Sequence, residues 1–399
     1  MYFYGWNNEE ELPFKQLWNM KRIVVAPNAF KHALDAKSVA EAISEGFRRS
    51  NLTCQLLICP IGDGGDGTCR LIHDYKSGEK QKVAVHDALG RPIESNFSII
   101  DEGETAVIEM ADSVGLRQLD VSDYRPLGAT SIGTGEVIKK ALDSGVSKII
   151  LGMGGSATID GGCGLLYALG MRFLNKNGES LYPIPQMLAN VVTVAVDTID
   201  DRLLSCELII LCDVENRLLG KNGAAAVFGA QKGAGLSDIN SLEKFLEKWR
   251  NIGLEMTGKD MNSIIAGGTA GGAAAGMYVY ADAQLVNGID FYLDLIGFEA
   301  LLADADLLIT GEGSIDKQTL GGKGPFGVAQ RAKNKSIPVI GFTGFSVEED
   351  SPELTALFNE IVPISSADVS LELALKNTGE NLIETAKKLG DRLAHTLKE

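Results

Sequence analysis

The chain has 399 residues and a formal net charge of −16 at pH 7. An acidic excess of this size argues against a surface that binds nucleic acid or an anionic membrane. At about 150 residues per domain the length predicts two or three domains, and a hydrophobic content of 45% is ordinary for a globular protein.

Residues 1–19 precede the first clear strand pattern, which begins at Met20. They lack the basic start and continuous apolar core of a signal peptide, so we interpret residues 1–19 as an appendage. No stretch reaches about 18 consecutive apolar residues, so the sequence predicts no transmembrane helix. The six cysteines show no metal-binding spacing and lie mostly in apolar runs, which indicates reduced thiols and favours a cytoplasmic protein.

Along the chain, a short apolar strand, a glycine-rich or acidic loop and an amphipathic helix alternate. Ile23–Ala26 is the first predicted strand, and Asp35 can cap the helix that follows. Leu56–Ile61 is the second predicted strand and leads into a glycine-rich loop at residues 62–68. Residues 82–112 differ, because they read as antiparallel strands with a turn at Gly90–Pro92 and so predict a second, mixed subdomain.

The alternation resumes in the second half of the chain. A helix is predicted over Gly135–Ser144, with Gly145 as a left-handed cap, and Leu371–Lys398 is predicted as one long helix. Alternating β and α elements with apolar strands predict parallel sheets covered on both faces. The further predicted strands are Lys148–Leu151, Leu208–Cys212, Leu307–Thr310 and Pro338–Thr343.

Ligands of open α/β sheets bind beyond the carboxyl ends of the strands, where the unusual loops of this chain begin. In the loop at residues 62–68, Asp63 and Asp66 stand among four glycines. Paired carboxylates can hold Mg²⁺, and the N–H groups of Gly64 and Gly65 can approach an anion closely. A tight solvent turn is the alternative, although a turn would not need so many glycines.

A second glycine-rich loop, at residues 152–162, follows a predicted buried strand and precedes a predicted helix. Gly154, Gly155 and Ser156 are therefore candidates for binding phosphate at a helix N-terminus. Close packing between helix and strand is the alternative explanation for these glycines.

Polar residues also follow the strand that ends at Cys212. Asp213 and Asn216 can orient a hydroxyl group or a metal ion, and Lys221 and Lys232, each next to a glycine, can hold phosphate or carboxylate. For each lysine taken alone, a solvated position on the surface is the stronger interpretation.

The segment at residues 310–325 carries the densest set of reactive groups. It combines Glu312 and Asp316 with hydroxyl groups and with Lys323, which is framed by glycines. A carboxylate, a cation and backbone donors are what phosphoryl transfer requires. Other predicted binding residues of this segment are Gly311, Gly313 and Thr319.

Several common motifs are missing from the sequence. It contains no G-x-x-x-x-G-K-S/T phosphate loop and no G-x-S-x-G elbow, and its four histidines form no metal-binding set. Acid–base chemistry therefore falls to Asp, Glu or Lys.

In this order, the segments resemble the type I glycerate kinase family, the bacterial glycerate 2-kinases. The resemblance runs from about Met20 to about Gly344 and rests on several long motifs, among them PIGDGGDGT, GMGGSATIDGG, CDVEN and TGEGSIDKQTLGGKGPFGVA. It implies ATP-dependent phosphorylation of D-glycerate, usually at the 2-hydroxyl group. It also implies a flavodoxin-like domain, residues 20–78 and 296–399, interrupted by a second α/β domain with a mixed sheet, residues 79–295.

The first loop departs from the family pattern. The family reads Pro-Asp-Ser-Phe-Lys-Gly-Ser, whereas this chain has PNAFKHA over residues 27–33. Asn28 can bind substrate through hydrogen bonds but cannot act as a base, and Lys31 is retained. Because of this change, another small hydroxy acid or a sugar remains an alternative acceptor.

These residues give a hypothesis for the reaction, with ATP and Mg²⁺ as cofactors. Asp63, Asp66 or Asp316 would hold Mg²⁺, and Asp213 or Asp316 would accept the hydroxyl proton. Lys31 and Lys323 would neutralise charge on phosphate or carboxylate. The sequence leaves open 3-phosphoglycerate as the product, a homodimeric assembly, and a ligand-binding protein with a decayed site.

Overall fold

The structure is a computed structural model in which residues 22–316, 324–345 and 352–396 are described. The appendage proposed at residues 1–19 lies outside them. The described chain divides into two compact units, residues 22–60, 299–316, 328–345 and 352–396 forming the first and residues 61–298 and 324–327 the second. The domain boundaries near residues 79 and 295 remain a proposal.

Strands and helices alternate along much of the described chain. The strands are β1 (Arg22–Val25), β2 (Gln55–Ile58), β3 (Glu79–His86), β4 (Pro92–Ile100), β5 (Thr105–Glu109), β6 (Lys148–Gly152), β7 (Arg172–Leu174), β8 (Ser180–Leu181), β9 (Thr193–Ala195), β10 (Glu207–Cys212), β11 (Gln284–Asn287), β12 (Leu307–Glu312), β13 (Val339–Thr343) and β14 (Glu360–Pro363). The helices are α1 (Ala36–Arg48), α2 (Thr68–Lys76), α3 (Ala111–Val114), α4 (Ile132–Asp143), α5 (Cys163–Ala168), α6 (Pro185–Leu188), α7 (Asp201–Ser205), α8 (Ala224–Phe228), α9 (Leu236–Thr257), α10 (Ala273–Ala281), α11 (Gly288–Leu295), α12 (Phe298–Leu301), α13 (Gly324–Asn334), α14 (Pro352–Leu357), α15 (Leu371–Lys376) and α16 (Thr378–Thr396).

The first unit is built on a parallel sheet of five strands in the order β2-β1-β12-β13-β14. Counted along the chain this is the order 2-1-3-4-5, which is the flavodoxin-like arrangement. The flavodoxin-like parallel sheet expected from the sequence is therefore confirmed. Strands β1 and β12 lie side by side at its centre, so the loops that follow Val25 and Glu312 leave the same edge.

Helix α1 begins as its sequence predicts. The Asp35 carboxylate caps it by accepting a hydrogen bond from the backbone N–H of Ser38 at 2.8 Å. Helix α16 packs closely against it, because a methyl group placed on Gly46 would lie 2.6 Å from the Cβ of Ala386. A glycine on α1 thus permits the tight helix contact.

The prediction of one continuous helix over Leu371–Lys398 is wrong, because α15 ends at Lys376 and α16 begins at Thr378. Asn377 between them has φ −99° and ψ 7°, which is not helical. The hydroxyl group of Thr378 donates to the carbonyl of Ala374 at 3.0 Å, so a side chain takes an acceptor of the last turn of α15. Leu382, Ala386, Leu389 and Leu393 form a buried apolar face of α16.

The second unit contains a mixed sheet of six strands in the order β11-β10-β6-β5-β4-β3. Strands β3, β4 and β5 pair antiparallel, as the sequence predicts for residues 82–112, while β5, β6, β10 and β11 pair parallel. A smaller antiparallel sheet joins β8, β7 and β9. In the core of this unit the fully buried Trp249 packs against Phe173 and stacks on Tyr280.

The register of the parallel strands sets where the loops of the second unit lie. Gly152 at the end of β6 is paired with Glu109 on β5 and with Leu211 on β10. The three strands therefore end together, and the loops after Glu109, Gly152 and Cys212 leave one edge of the sheet. None of the described helices has the length and hydropathy needed to cross a membrane, and the six cysteines are free thiols.

Candidate active site

The loop at residues 62–68 packs against the edge of the six-stranded sheet at which β5, β6 and β10 end. A methyl group on Gly64 would lie 3.1 Å from the backbone carbons of Leu211 and Cys212, and one on Gly154 would lie 2.4 Å from the Cα of Gly65. Gly64 also has φ +91°, a conformation that favours glycine. Close backbone packing therefore explains why glycine occupies positions 64 and 154, which the sequence analysis predicted to bind phosphate.

Asp63 and Asp213 face the same small space in the second unit. A methyl group on Gly65 would lie 2.9 Å from Oδ1 of Asp63 and 3.4 Å from Oδ2 of Asp213. Asp63 is only 8% exposed, and its Oδ1 accepts a hydrogen bond from the backbone N–H of Gly65 at 3.1 Å. Two carboxylates from loops distant in the sequence therefore converge beside a glycine that leaves room between them.

Asp66, the second acidic residue of this loop, has a cationic partner. Arg117 forms ion pairs with both Asp66 and Asp112. A methyl group on Gly155 would lie 3.4 Å from Oδ2 of Asp66, so this carboxylate borders the loop at residues 152–162. The arginine offsets the negative charge of Asp66.

Glu109 is a buried acid that the sequence reasoning missed. It is the last residue of β5, is 5% exposed, and its Oε1 accepts a hydrogen bond from the backbone N–H of Gly67 at 2.5 Å. Burial, reinforced by the nearby charge of Asp66, raises the pKa of Glu109 to about 8. The signal in the sequence was a lone acid at the end of an otherwise apolar strand.

Lys232 is buried rather than solvated, at 4% exposure, whereas Lys221 is exposed. The ammonium group of Lys232 donates to Oγ of Ser156 at 2.9 Å and to the carbonyl of Thr158 at 2.8 Å. Burial lowers the pKa of Lys232 to about 7, although the charges of Asp160 and Asp213 oppose this shift. The surface interpretation is therefore wrong for Lys232, which holds the loop at residues 152–162 from beneath.

Asp160 fixes the other end of the loop at residues 152–162, and the sequence did not single it out. Its carboxylate accepts hydrogen bonds from the backbone N–H and the hydroxyl group of Ser131, both at 2.7 Å, and from the N–H groups of Gly162 and Gly164 at 3.1 Å. Burial raises the pKa of Asp160. Four donors to one carboxylate make this part of the loop rigid.

A cavity of about 750 Å³ lies in the second unit, beyond the carboxyl end of β10. Its wall is formed by the loop that follows β10 and by helix α8. Residues from both elements line it, among them Asp213, Val214, Asn216, Leu219, Val227 and Phe228.

In the first unit, the loops after β1 and β12 are hydrogen-bonded to each other. The backbone N–H of Asn28 donates to the carbonyl of Gly311 at 2.8 Å, and Oδ1 of Asn28 accepts from the N–H of Ala29 at 2.8 Å. A methyl group on Gly313 would lie 3.7 Å from the backbone nitrogen of Lys31. The structure thus brings the loop at residues 27–33 next to the end of β12.

Glu312, at the end of β12, and Asp316, just after it, differ in exposure. Glu312 is buried on β12 opposite Thr343, and Asp316 accepts a hydrogen bond from the hydroxyl group of Ser314 at 2.9 Å. Thr319 and Lys323 lie outside the described residues. Their predicted roles stay predictions.

The site residues predicted from the sequence therefore form one group in each unit. Those of the second unit are Asp63, Gly64, Gly65, Asp66, Gly154, Gly155, Ser156, Asp213, Asn216 and Lys232, and those of the first are Asn28, Lys31, Gly311, Glu312, Gly313 and Asp316. Among the described residues, no three acidic, histidine or cysteine side chains come together as a ready metal site.

A family model for the glycerate kinase family matches residues 23–394 of the chain. The chain belongs to the glycerate kinase family. The family predicted from the sequence motifs, and with it the class of phosphotransferases, is confirmed.

Named relatives of the glycerate kinase family match over most of their length. A glycerate kinase of Bacillus subtilis is 39% identical over 383 residues, covering 94% of this chain and 99% of the relative. One of Halalkalibacterium halodurans is 39% identical over 375 residues, covering 92% and 97%. The glycerate 2-kinase of Escherichia coli K12 is 35% identical over 378 residues, covering 94% and 98%.

A crystal structure of a protein from Salmonella typhimurium LT2, provisionally described as glycerate kinase 2, has the same fold. The TM-score is 0.78 at 38% sequence identity, and the match covers 96% of this chain and all of the other. The fold and the sequence therefore point to the same family.

Proposed function

We propose that the chain transfers the γ-phosphoryl group of ATP to the 2-hydroxyl group of D-glycerate, giving 2-phosphoglycerate. The observation that carries the proposal is the convergence of the Asp63 and Asp213 carboxylates on the space beside Gly65. The family supplies the reaction class, and the relative from Escherichia coli is named for the 2-position. Phosphoryl transfer depends mainly on positioning and on stabilising charge, which rigid loops and local charges can supply.

The residues beside Gly65 fit Mg²⁺. This ion takes oxygen ligands and is often bound by only one or two carboxylates together with substrate phosphates. Asp63 offers such a carboxylate, and the missing side chain of Gly65 leaves the space open. When bound, Mg²⁺ would neutralise charge on the phosphate oxygens of ATP. Asp66, which is ion-paired with Arg117, and Asp316 are the other proposed ligands.

Asp213 is proposed to accept the proton of the attacking hydroxyl group, with Asp316 as the alternative acceptor. Asp213 borders the same space beside Gly65 as Asp63, which places it next to the proposed metal ligand. Ser156, Gly155 and the backbone around them are proposed to contact phosphate. Lys31 and Lys323 are proposed to balance the charge of phosphate or of the glycerate carboxylate.

The test is incubation of the protein with ATP, Mg²⁺ and D-glycerate, followed by NMR of the product. We expect ADP and 2-phosphoglycerate in equal amounts. Formation of 3-phosphoglycerate would contradict the proposed position, and ADP release only with another hydroxy acid or a sugar would contradict the acceptor. Retention of ATP without any ADP formation would indicate a binding protein with a decayed site.

A further inference from the structure

The cavity beyond β10 is too large for the proposed acceptor alone. Its volume of about 750 Å³ falls within the range of roughly 300–1,000 Å³ that is typical of sites for larger, drug-sized ligands. A three-carbon acid would fill only a small part of it. The size therefore favours the larger of the two substrates of the proposed reaction.

The lining of the cavity suits a group that is uncharged and partly apolar. Val214, Leu219, Val227 and Phe228 provide an apolar wall. The charged residues that line it balance, since Asp213 and Glu215 are acidic while Arg217 and Lys221 are basic. A cavity without a net positive charge gives little attraction to a triphosphate or a carboxylate, but it can accept a planar base and a sugar.

The loop that forms the cavity is held in place before any ligand binds. The side-chain amide of Asn216 donates to the carbonyl of Asn222 at 2.7 Å, which closes the loop on itself. The carbonyl of Asn216 accepts from the N–H of Gly268 at 2.8 Å, and the N–H of Leu219 donates to Oδ1 of Asn262 at 2.9 Å. A preformed cavity loses little conformational entropy when it binds a ligand.

Asp213 connects the cavity to the acidic pair. It lines the cavity and also borders the space beside Gly65 that Asp63 faces. A ligand whose apolar end lies against Val227 and Phe228 could therefore extend its polar end towards Asp213 and Asp63. A nucleotide has this shape, with the base at one end and the phosphates at the other.

We infer that the cavity lined by Val214, Leu219, Val227 and Phe228 binds the base and ribose of the phosphoryl donor, a nucleoside triphosphate. The inference rests on the proposed kinase function. It assigns the donor to the loop after β10 and to helix α8, with its phosphates directed towards the acidic pair.

The test compares the binding of ADP, with Mg²⁺ present, to the wild-type chain and to two cavity variants by isothermal titration calorimetry. Val227 is 44% exposed, so Val227→Glu should fold while placing a carboxylate in the cavity. Phe228→Ala removes the aromatic wall without adding charge. We expect the Kd for ADP to rise about tenfold in each variant, since an apolar contact of this kind is worth about that factor.

Leu204→Glu is the matched control. Leu204 is 63% exposed on α7, which precedes the amino end of β10, whereas the cavity lies beyond the carboxyl end of the same strand. The control introduces the same charge at an exposed apolar position and should leave the Kd for ADP unchanged. Steady-state assays should show a higher KM for ATP in the cavity variants and an unchanged KM for D-glycerate.

The results separate this inference from the proposed function. Unchanged ADP binding in both cavity variants, or a rise in the KM for D-glycerate alone, would overturn the inference while leaving the kinase proposal standing. If the wild-type chain binds ADP and the cavity variants lose this binding, the inference holds even when D-glycerate proves not to be the acceptor. A wild-type chain that binds no ADP would overturn the inference.

Discussion

The backbone N–H of Gly67 donates a hydrogen bond of 2.5 Å to Oε1 of Glu109, across 42 positions of the sequence. This contact ties the loop that carries Asp63 to the end of β5 in the six-stranded sheet. The carboxyl group that accepts the bond is buried, and its pKa is raised to about 8. Around neutral pH Glu109 is therefore largely protonated, so the loop is held by a neutral acid.

Replacing Glu109 with glutamine should change how stability depends on pH. The pKa of Glu109 rises from 4.5 to about 8 on folding, so between these values the folded state binds more protons than the unfolded state. The free energy of unfolding of the wild-type chain should therefore fall as pH rises through this window. Glu109→Gln keeps an acceptor for the Gly67 N–H but cannot ionise. We expect the variant to gain stability relative to wild type as pH rises, measured by urea unfolding at several pH values.

Glu104→Gln serves as the control for this measurement, because Glu104 is exposed beside the start of β5. Its unfolding curve should follow that of the wild-type chain at every pH. Parallel pH profiles for wild type and Glu109→Gln would show that folding does not raise the pKa of Glu109.

Adding a single methyl group at Gly65 should impair the reaction more than it impairs folding. The Cβ of Gly65→Ala would lie 2.9 Å from Oδ1 of Asp63 and 3.4 Å from Oδ2 of Asp213, so it fills the space between the carboxylates. We expect kcat to fall by about 10²-fold, the cost typical of losing one well-placed catalytic contact. Gly128→Ala is the control, because a methyl group there would meet only a side-chain atom of Arg125 at 3.9 Å. Equal activity in the two variants would argue against a reaction centre beside Gly65.

Structural features that depend only on residues close together in the sequence could be predicted from it. The Asp35 cap, the left-handed Gly145 and four strands of the first unit, β1, β2, β12 and β13, are found where the sequence placed them or within a few residues. The break at Asn377 was missed because the apolar periodicity continues across it, although the backbone of Asn377 is not helical.

The arrangement of the site could be predicted only in part. Asp63 and Asp213 were both identified because each follows an apolar strand in a loop rich in polar residues or glycine. Their convergence beside Gly65 depends on how the loop at residues 62–68 packs against β10, which no local pattern contains. For the same reason the burial of Glu109 and of Lys232 could not be predicted from the sequence.

Asparagine substitutions at the acidic pair should separate a metal ligand from a proton acceptor. We expect Asp63→Asn to raise the Mg²⁺ concentration needed for half-maximal rate by about tenfold, because one anionic ligand is lost. Asp213→Asn should lower kcat by about 10²- to 10³-fold without changing the Mg²⁺ requirement. Asp120→Asn, at an exposed position, should behave as wild type in both assays. A shift in the Mg²⁺ requirement for Asp213→Asn would reassign that residue as a metal ligand.

Substitution of Lys232 by methionine should reveal the cost of keeping an ammonium group buried. Its pKa falls from 10.5 to about 7 on folding, so the unfolded state binds more protons between these values. The stability of the wild-type chain relative to Lys232→Met should therefore rise with pH across this window and stay constant below about pH 7.

The variant also leaves the buried Ser156 and the carbonyl of Thr158 without their donor, which costs about 1–3 kcal/mol for each group. We expect urea unfolding to show the largest deficit of the variant near the upper end of the window, while Lys244→Met, at an exposed position on α9, shows no such trend. A deficit that is independent of pH would mean that Lys232 keeps its ordinary pKa in the folded protein.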